Sequence, residues 1–177
     1  MKYYEMFKTI FKVPQNTCNN GDLEKWEKYE KEMNIIFPKD YKKFINEYGT
    51  GTINNFFWFL TPFDEDNNIN YSIKSKEMIS NYLMGKEMMP EYYTYEMYPK
   101  KGGLLPWGYT ENGDELYWKT EENMDRWKIV VCGSGPSDAL EYDMSFSEFL
   151  YKYFDGELIC EALPDSLLEE VPYFVSV

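Results

Sequence analysis

Apolar positions repeat with helical spacing in four stretches of this chain. Between residues 23 and 33, and again between 41 and 48, apolar residues recur every three or four positions, which predicts two amphipathic helices. The stretch from Ser72 to about Met89 predicts a third helix. Ser145 and Glu148 form a Ser-x-x-Glu capping box, so a fourth helix is expected to begin there.

The stretch from Leu104 to Trp118 predicts two strands joined by a tight turn. Asn112-Gly113 is a strong hairpin signal, because Asn and Gly accept the positive φ angles of a type I′ turn. Pro106 lacks an N–H, so one side of its strand must be an edge or a bulge. Because this stretch is rich in Trp and Tyr, we expect the hairpin at the centre of an antiparallel sheet, with helices covering one face.

Further strands are expected at three places rich in β-forming residues: Thr52–Leu60, Trp127–Cys132 and Ala139–Tyr142. With the helices, they predict a single α+β domain, in which a twisted antiparallel sheet is packed by N-terminal and C-terminal helices. No apolar run reaches the roughly 20 residues that cross a membrane, and residues 1–14 lack the apolar core of a signal peptide. We therefore expect a cytoplasmic protein that does not bind membranes.

The residue types exclude several kinds of chemistry. The chain has no histidine, which removes histidine-based nucleophilic catalysis and most zinc sites. Its 3 cysteines are widely spaced, so we expect reduced and mostly buried thiols rather than disulfides. Asp64-x-Asp66-x-Asn68 begins like a calcium-binding loop, but Ile69 and Ser75 stand where such a loop needs Gly and Glu. We expect no metal site, no cofactor and no catalytic residues.

The acidic residues are concentrated in the C-terminal part of the chain. Residues 1–110 contain 15 acids and 14 bases, whereas residues 111–177 contain 16 acids and 4 bases. Phosphate repulsion would oppose direct nucleic-acid binding there, and a protein partner with a basic surface is favoured. Two interpretations remain open. The acids form a solvated face, or they act with aromatic residues as a nucleic-acid decoy that fills the basic cleft of a protein partner.

Carboxylates around the hairpin tip and the connection beyond Trp118 are the candidate partner-binding residues. Tyr109 and Tyr117 are the candidate aromatic anchors beside them. The same acids offer pairs for a carboxylate enzyme, but such pairs arise by chance among 31 acids, and we expect no enzyme. The proposed acidic patch comprises Glu111, Asp114, Glu115, Glu121, Glu122, Asp125, Asp138, Glu141 and Asp143.

Four sequence blocks follow the first amphipathic helix in a fixed order. The first block is Phe37-Pro-Lys-Asp-Tyr-Lys-Lys-Phe-Ile45, followed by Tyr48-Gly-x-Gly51. The second is Leu105-Pro-Trp-Gly-x-Thr-x-x-Gly-Asp114, followed by a strand that ends at Trp118. The third is the strand from Trp127, and the fourth is Asp143-Met-Ser-Phe-Ser-Glu-Phe-Leu150. In this order they resemble the SUKH superfamily, which includes a fungal cell-wall regulator of the Smi/Knr type. The resemblance covers roughly residues 22–156. It leaves an N-terminal extension, 1–21, and a C-terminal extension, 157–177, which we expect to pack on the domain.

The resemblance implies an α+β fold and a function in protein binding. Most bacterial members are implied to be immunity proteins, which bind and neutralise a cognate toxin, often a nuclease. The alternative is a regulatory interaction scaffold of the Smi/Knr type without a toxin. The family supplies no catalytic residues, and its shared positions are expected to be structural. These are Gly49, Gly51, Trp107, Gly113, Asp114, Trp118 and Phe149.

Overall fold

A computed structural model shows an α+β fold and describes residues 1–133, 139–169 and 171–177. Within these ranges it contains five α-helices and one seven-stranded antiparallel sheet, with short 3₁₀ turns at Met124–Arg126 and Asp165–Leu168. The helices are α1 Lys2–Ile10, α2 Leu23–Met33, α3 Lys39–Tyr48, α4 Tyr71–Met88 and α5 Phe146–Phe154. The strands are β1 Gly51–Ile53, β2 Phe57–Phe59, β3 Leu104–Thr110, β4 Glu115–Lys119, β5 Lys128–Cys132, β6 Ala139–Tyr142 and β7 Phe174–Ser176.

The hairpin predicted between residues 104 and 118 lies at the centre of the sheet, as expected. The strand order is β6-β5-β4-β3-β2-β1-β7, so β3 and β4 have neighbours on both outer sides. The register between them pairs Leu105 with Trp118 but shifts between Pro106 and Gly108. This irregularity confirms the bulge expected from the missing N–H of Pro106.

The type I′ turn expected at Asn112-Gly113 is wrong in its details. The loop is closed by the pair Thr110 and Asp114, with residues 111–113 between them. The Thr110 N–H donates to the Asp114 carbonyl at 2.9 Å, and the Gly113 N–H donates to the Thr110 carbonyl at 3.0 Å. Of Asn112 and Gly113, only Gly113 has a positive φ, at +84°. A loop of this kind needs one left-handed residue at its end, which explains the glycine.

Helices cover both faces of the sheet, so the expectation of a single covered face is wrong. Trp118 faces α3 and α5, and its ring centroid lies 4.8 Å from that of Tyr41. Its neighbour Tyr117 points to the opposite face because side chains alternate along a strand. There it meets Tyr82 of α4, with ring centroids 6.2 Å apart. The hydrophobic core therefore has two layers, one on each side of the central hairpin.

The chain's two ends pack on this core. Phe11 follows α1 and lies edge-on against Phe154 of α5, with ring centroids 5.0 Å apart. Strand β7 pairs with β1 in the register Thr52 to Val175. Of the three free cysteines, Cys132 and Cys160 are buried, whereas Cys18 is exposed.

Candidate partner-binding surface

Two of the proposed patch carboxylates are turned inward at the hairpin. Asp114 is only 4% exposed, and its carboxylate accepts a hydrogen bond of 2.6 Å from the Thr110 hydroxyl. The half-buried Glu115 accepts one of 2.6 Å from Tyr117. Burial raises the pKa of Glu115 despite that bond. Both carboxylates therefore accept hydrogen bonds from within the hairpin, and the expectation that Asp114 presents its charge to a partner is wrong.

The two proposed aromatic anchors have different environments. Tyr117 is 0% exposed, so its assignment as a surface anchor is wrong. Tyr109 is half-buried and stacks on Trp58, with ring centroids 6.3 Å apart. Exposed Glu111 accepts a hydrogen bond from the Trp58 indole, and Lys74 lies 5.3 Å from the Tyr109 ring centroid. Tyr109 and Glu111 thus remain at the surface as one small cluster with Trp58.

The acids near β6 do not form an open negative patch. Glu141 binds two lysines, Lys119 at 2.7 Å and Lys128 at 3.0 Å. These hydrogen bonds lower the pKa of Glu141 below its ordinary value. Asp143 is exposed, and Asp138 lies outside the described residues. The two lysines therefore neutralise the β6 surface next to Glu141.

The connection beyond Trp118 presents its three carboxylates to solvent. Glu121, Glu122 and Asp125 are all exposed. Glu122 pairs with Lys101 at 3.1 Å, but the Glu122 side chain is 85% exposed. Asp125 lies 3.9 Å from exposed Lys39. Because exposed ion pairs contribute little, these carboxylates can exchange such partners for a basic protein. We call residues 121–125 the acidic connection.

A second group of exposed acids lies directly after α5 and in the C-terminal extension, and these acids are not among the residues predicted from the sequence. Its signal in the sequence is that no Lys or Arg follows Lys152. Ile159 lies within this group and is 75% exposed. None of its described carboxylates forms an ion pair with a lysine or arginine, so their charge is not neutralised locally. These acidic tail residues are Asp155, Glu157, Glu161, Asp165 and Glu169.

A cleft of about 370 Å³ opens between the N-terminal ends of α3 and α5, beside the acidic connection. Trp118 lines it, and the Trp118 indole N–H has no hydrogen-bond acceptor among the described residues. Asp125 of the acidic connection forms part of its wall. The cleft therefore combines a lining tryptophan that has an unpaired buried donor with an edge that carries both Asp125 and Lys39. Its apolar lining comes from Pro38, Trp118, Met124, Trp127 and Phe146.

The calcium-like loop is held together by its own hydrogen bonds. The Asp64 carboxylate accepts bonds from the Asp66 backbone N–H at 2.8 Å and from the Asn19 amide at 2.7 Å. In the described ranges, no group of three or more Cys, Asp or Glu side chains could hold a metal ion. The same ranges contain no helix with the length and apolar character needed to span a membrane.

One comparison with known proteins identifies the family. The SUKH_6 family model, described as SMI1-KNR4 cell-wall, matches residues 23–150. No curated protein and no solved structure matches the chain. The family match covers α2 through most of α5, including the central hairpin, and agrees with the α+β fold. This chain therefore belongs to the SMI1-KNR4 (SUKH_6) family.

Proposed function

We propose that this protein is an immunity protein that binds and neutralises a cognate bacterial toxin in the cytoplasm. Domains of this family are generally non-catalytic and suggest a role in protein–protein interaction. An interaction of this kind needs a surface that attracts the toxin and contacts that then hold it. The exposed carboxylates of the acidic connection and the acidic tail support the first requirement.

The observation that carries this proposal is the exposure of carboxylates in the acidic connection and the acidic tail. In both segments the acids lie at the surface, whereas Asp114 and Glu115 are turned inward and Glu141 is bound by two lysines. Exposed charge of one sign steers an oppositely charged partner and speeds its association, towards about 10⁸ M⁻¹s⁻¹ at low salt. A basic toxin surface, such as the phosphate-binding cleft of a nuclease, matches this charge.

The bound immunity protein then inhibits the toxin by occupying its basic cleft. A toxin that acts on nucleic acid needs its basic cleft free for phosphate groups. Carboxylates placed in that cleft compete for the same lysines and arginines and exclude the substrate. Neutralising the toxin by blocking its cleft requires no catalytic group in the immunity protein.

A genetic experiment tests the function directly. The probe is the product of a neighbouring open reading frame that joins a secretion domain to a basic C-terminal toxin domain. Expression of that toxin domain alone should arrest growth, and co-expression of this chain should restore it. Growth arrest that persists despite soluble, folded protein would contradict the proposal.

A charge-reversal experiment tests the surface. Replacing Glu121, Glu122 and Asp125 with Lys should lower the association rate with the toxin domain by tenfold or more at low salt, and should flatten its salt dependence. The matched control makes the same charge change on α2, where Glu24, Glu27 and Glu32 are also exposed. If the association rate falls equally in both variants, net charge rather than the acidic connection drives association.

The family description favours one other function. It names the cell wall, which fits a regulatory interaction scaffold of the Smi/Knr type that acts without a toxin. In that case co-expression would not rescue growth from any neighbouring toxin. Deletion of the gene would instead change the cell's sensitivity to wall-damaging compounds.

A further inference from the structure

The cleft between α3 and α5 is built from segments that are far apart in the sequence. Pro38 and Lys39 come from the start of α3, and Phe146 from the start of α5. Trp118 is the penultimate residue of β4, and Met124 belongs to the 3₁₀ turn that follows. The volume is about 370 Å³, which is enough for a protein side chain with its adjoining backbone. We call this cavity the α3–α5 cleft.

The Trp118 indole is the feature of this cleft that calls for a ligand. Trp118 is 1% exposed, and its Nε1–H has no acceptor among the described residues. Neighbouring Trp127 differs, because its Nε1–H donates to the Glu121 carbonyl at 2.8 Å. A buried donor without a partner is unfavourable, and an acceptor brought to this N–H group would remove that penalty.

The rest of the lining restricts the chemistry of the occupant. Phe146, Met124 and Pro38 offer apolar surface that suits an aliphatic or aromatic side chain. Asp40 and Asp125 line the cleft together with Lys39, so neither sign of charge dominates its wall. A neutral carbonyl is therefore the acceptor that suits Trp118. Peptide backbone supplies such a group next to an apolar side chain.

We propose that the α3–α5 cleft is the anchor site for a loop of a basic protein partner. The loop inserts one apolar side chain between Met124 and Phe146, and a carbonyl of its backbone accepts the Trp118 indole hydrogen bond. Lysines and arginines on either side of the inserted residue pair with Asp125, which lines the cleft, and with Glu121 and Glu122 of the acidic connection. The basic character of this partner rests on the proposed function. The cleft supplies the desolvated anchor that slows dissociation, a role that buried Tyr117 cannot fill.

A short peptide tests the site without the toxin. The probe is acetyl-Lys-Arg-Leu-Gly-Arg-Lys-amide, with two controls in which Ser replaces Leu or Glu replaces every Lys and Arg. The readout is the set of 5 tryptophan indole N–H signals in a ¹⁵N–¹H correlation spectrum. The basic Leu peptide should shift the Trp118 signal most, and both control peptides should bind at least fivefold more weakly.

Two matched pairs of variants test which groups form the anchor. Trp107 is the control for Trp118, since its indole N–H is also buried without an acceptor but Trp107 is not among the residues lining the α3–α5 cleft. Trp118→Phe should weaken peptide binding about tenfold, the loss expected for one hydrogen bond, and Trp107→Phe less than twofold. Met124→Ala should weaken peptide binding at least threefold, whereas Met88→Ala, at a residue of α4 that is 74% exposed, should leave it unchanged. If the Trp118 variant does not fold, the comparison of Met124→Ala with Met88→Ala still tests whether the peptide binds in the α3–α5 cleft.

Three results would overturn this site: no indole shift at millimolar peptide, equal binding of the acidic peptide, or equal losses in the two members of each variant pair. The growth experiment tests the immunity function independently of the cleft. If the toxin is neutralised but Met124→Ala and Trp118→Phe bind it as tightly as the unmodified protein, the cleft proposal is wrong and the immunity function stands. If the peptide binds as described but no toxin is neutralised, the cleft stands and the function is wrong.

Discussion

One carboxylate oxygen of Asp40 accepts two hydrogen bonds from Ser147, one from its backbone N–H and one from its hydroxyl, each 2.8 Å long. The two residues are 107 positions apart and both are buried. Asp40 belongs to the first turn of α3 and Ser147 to the first turn of α5. A negative charge at the start of α5 is favourable because the helix presents unpaired N–H groups there. The contact holds the two helix ends that border the α3–α5 cleft.

Removing this carboxylate should destabilise the protein. Asp40→Ala leaves two buried donors of Ser147 unpaired, and we expect the free energy of unfolding to fall by about 2–4 kcal/mol. Urea denaturation followed by tryptophan fluorescence measures the change. Asp125→Ala, which alters an exposed carboxylate, is the control and should change stability by less than about 0.5 kcal/mol. Equal effects in the two variants would show that the Asp40 contact contributes nothing of its own.

The hairpin loop makes a prediction that depends on backbone conformation alone. Gly113 has φ +84°, and a Cβ added there would have no atom within 4 Å, so a substitution meets strain without a clash. Gly113→Val should lower the free energy of unfolding by about 1–2 kcal/mol, because a β-branched residue resists the left-handed region. Gly113→Asn should cost less, since Asn tolerates that region. Thermal unfolding of the two variants is the measurement, and equal melting temperatures would contradict the loop conformation.

Glu115 makes a prediction about pH. Burial raises the pKa of its carboxyl group in the folded protein above the ordinary 4.5, so ionisation of Glu115 destabilises the fold. This penalty is absent below pH 4.5, where the unfolded chain is also protonated, and is fully present above the folded pKa. Glu115→Gln keeps an acceptor for the Tyr117 hydroxyl and removes the penalty. The variant should therefore be more stable than the unmodified protein at pH 7.

The gain in free energy of unfolding from Glu115→Gln should shrink as the pH falls and disappear near pH 4. Chemical denaturation at a series of pH values measures the free energy of unfolding of the variant and of the unmodified protein. Exposed Glu122 supplies the matched control, because Glu122→Gln should change stability little at either pH. A Glu115→Gln variant that is less stable at pH 7 would show that the charged form is the favoured one.

The C-terminal extension should behave as part of the domain. Phe174 of β7 packs against Tyr48, with ring centroids 5.1 Å apart, and against Phe44 at 5.9 Å. Deleting residues 171–177 would remove these contacts and leave β1 as an unpaired sheet edge. We expect a loss of about 2–4 kcal/mol and a tendency to aggregate. Size-exclusion chromatography and thermal unfolding test both effects, and a monomer of unchanged stability would show the extension to be dispensable.

Local patterns in the sequence were sufficient for most elements of the fold. They were wrong for Thr52–Leu60, expected as one strand, which turns at Asn54 and Asn55 and forms the two antiparallel strands β1 and β2. The helices, the central hairpin and the bulge at Pro106 depend on spacing, capping and backbone chemistry within a few residues, so they could be predicted. The N-cap at Ser145 is an example, since its side chain accepts the Glu148 N–H. The type of turn was less predictable, because Asn112-Gly113 suits more than one loop.

Tertiary structure alone decided which polar residues reach the surface. The alternation along β4 predicted that Tyr117 and Trp118 face opposite sides, but not that α4 covers the side of Tyr117. Apolar residues occur on all sides of α4, so its sequence did not reveal which face it buries. The same limit applies to Asp114, whose carboxylate is withdrawn from the surface by a hydrogen bond to Thr110.

The sequence by itself determined the element types, the central hairpin and the segregation of negative charge, because each depends on residue type and on spacing along the chain. Only the tertiary structure decided that Glu141 is bound by two lysines and that the acidic tail is not. It also brought Pro38, Trp118 and Phe146 to one cleft. Such sites join segments a hundred residues apart, and the packing of helices on the sheet, rather than any local pattern, sets the distances between them.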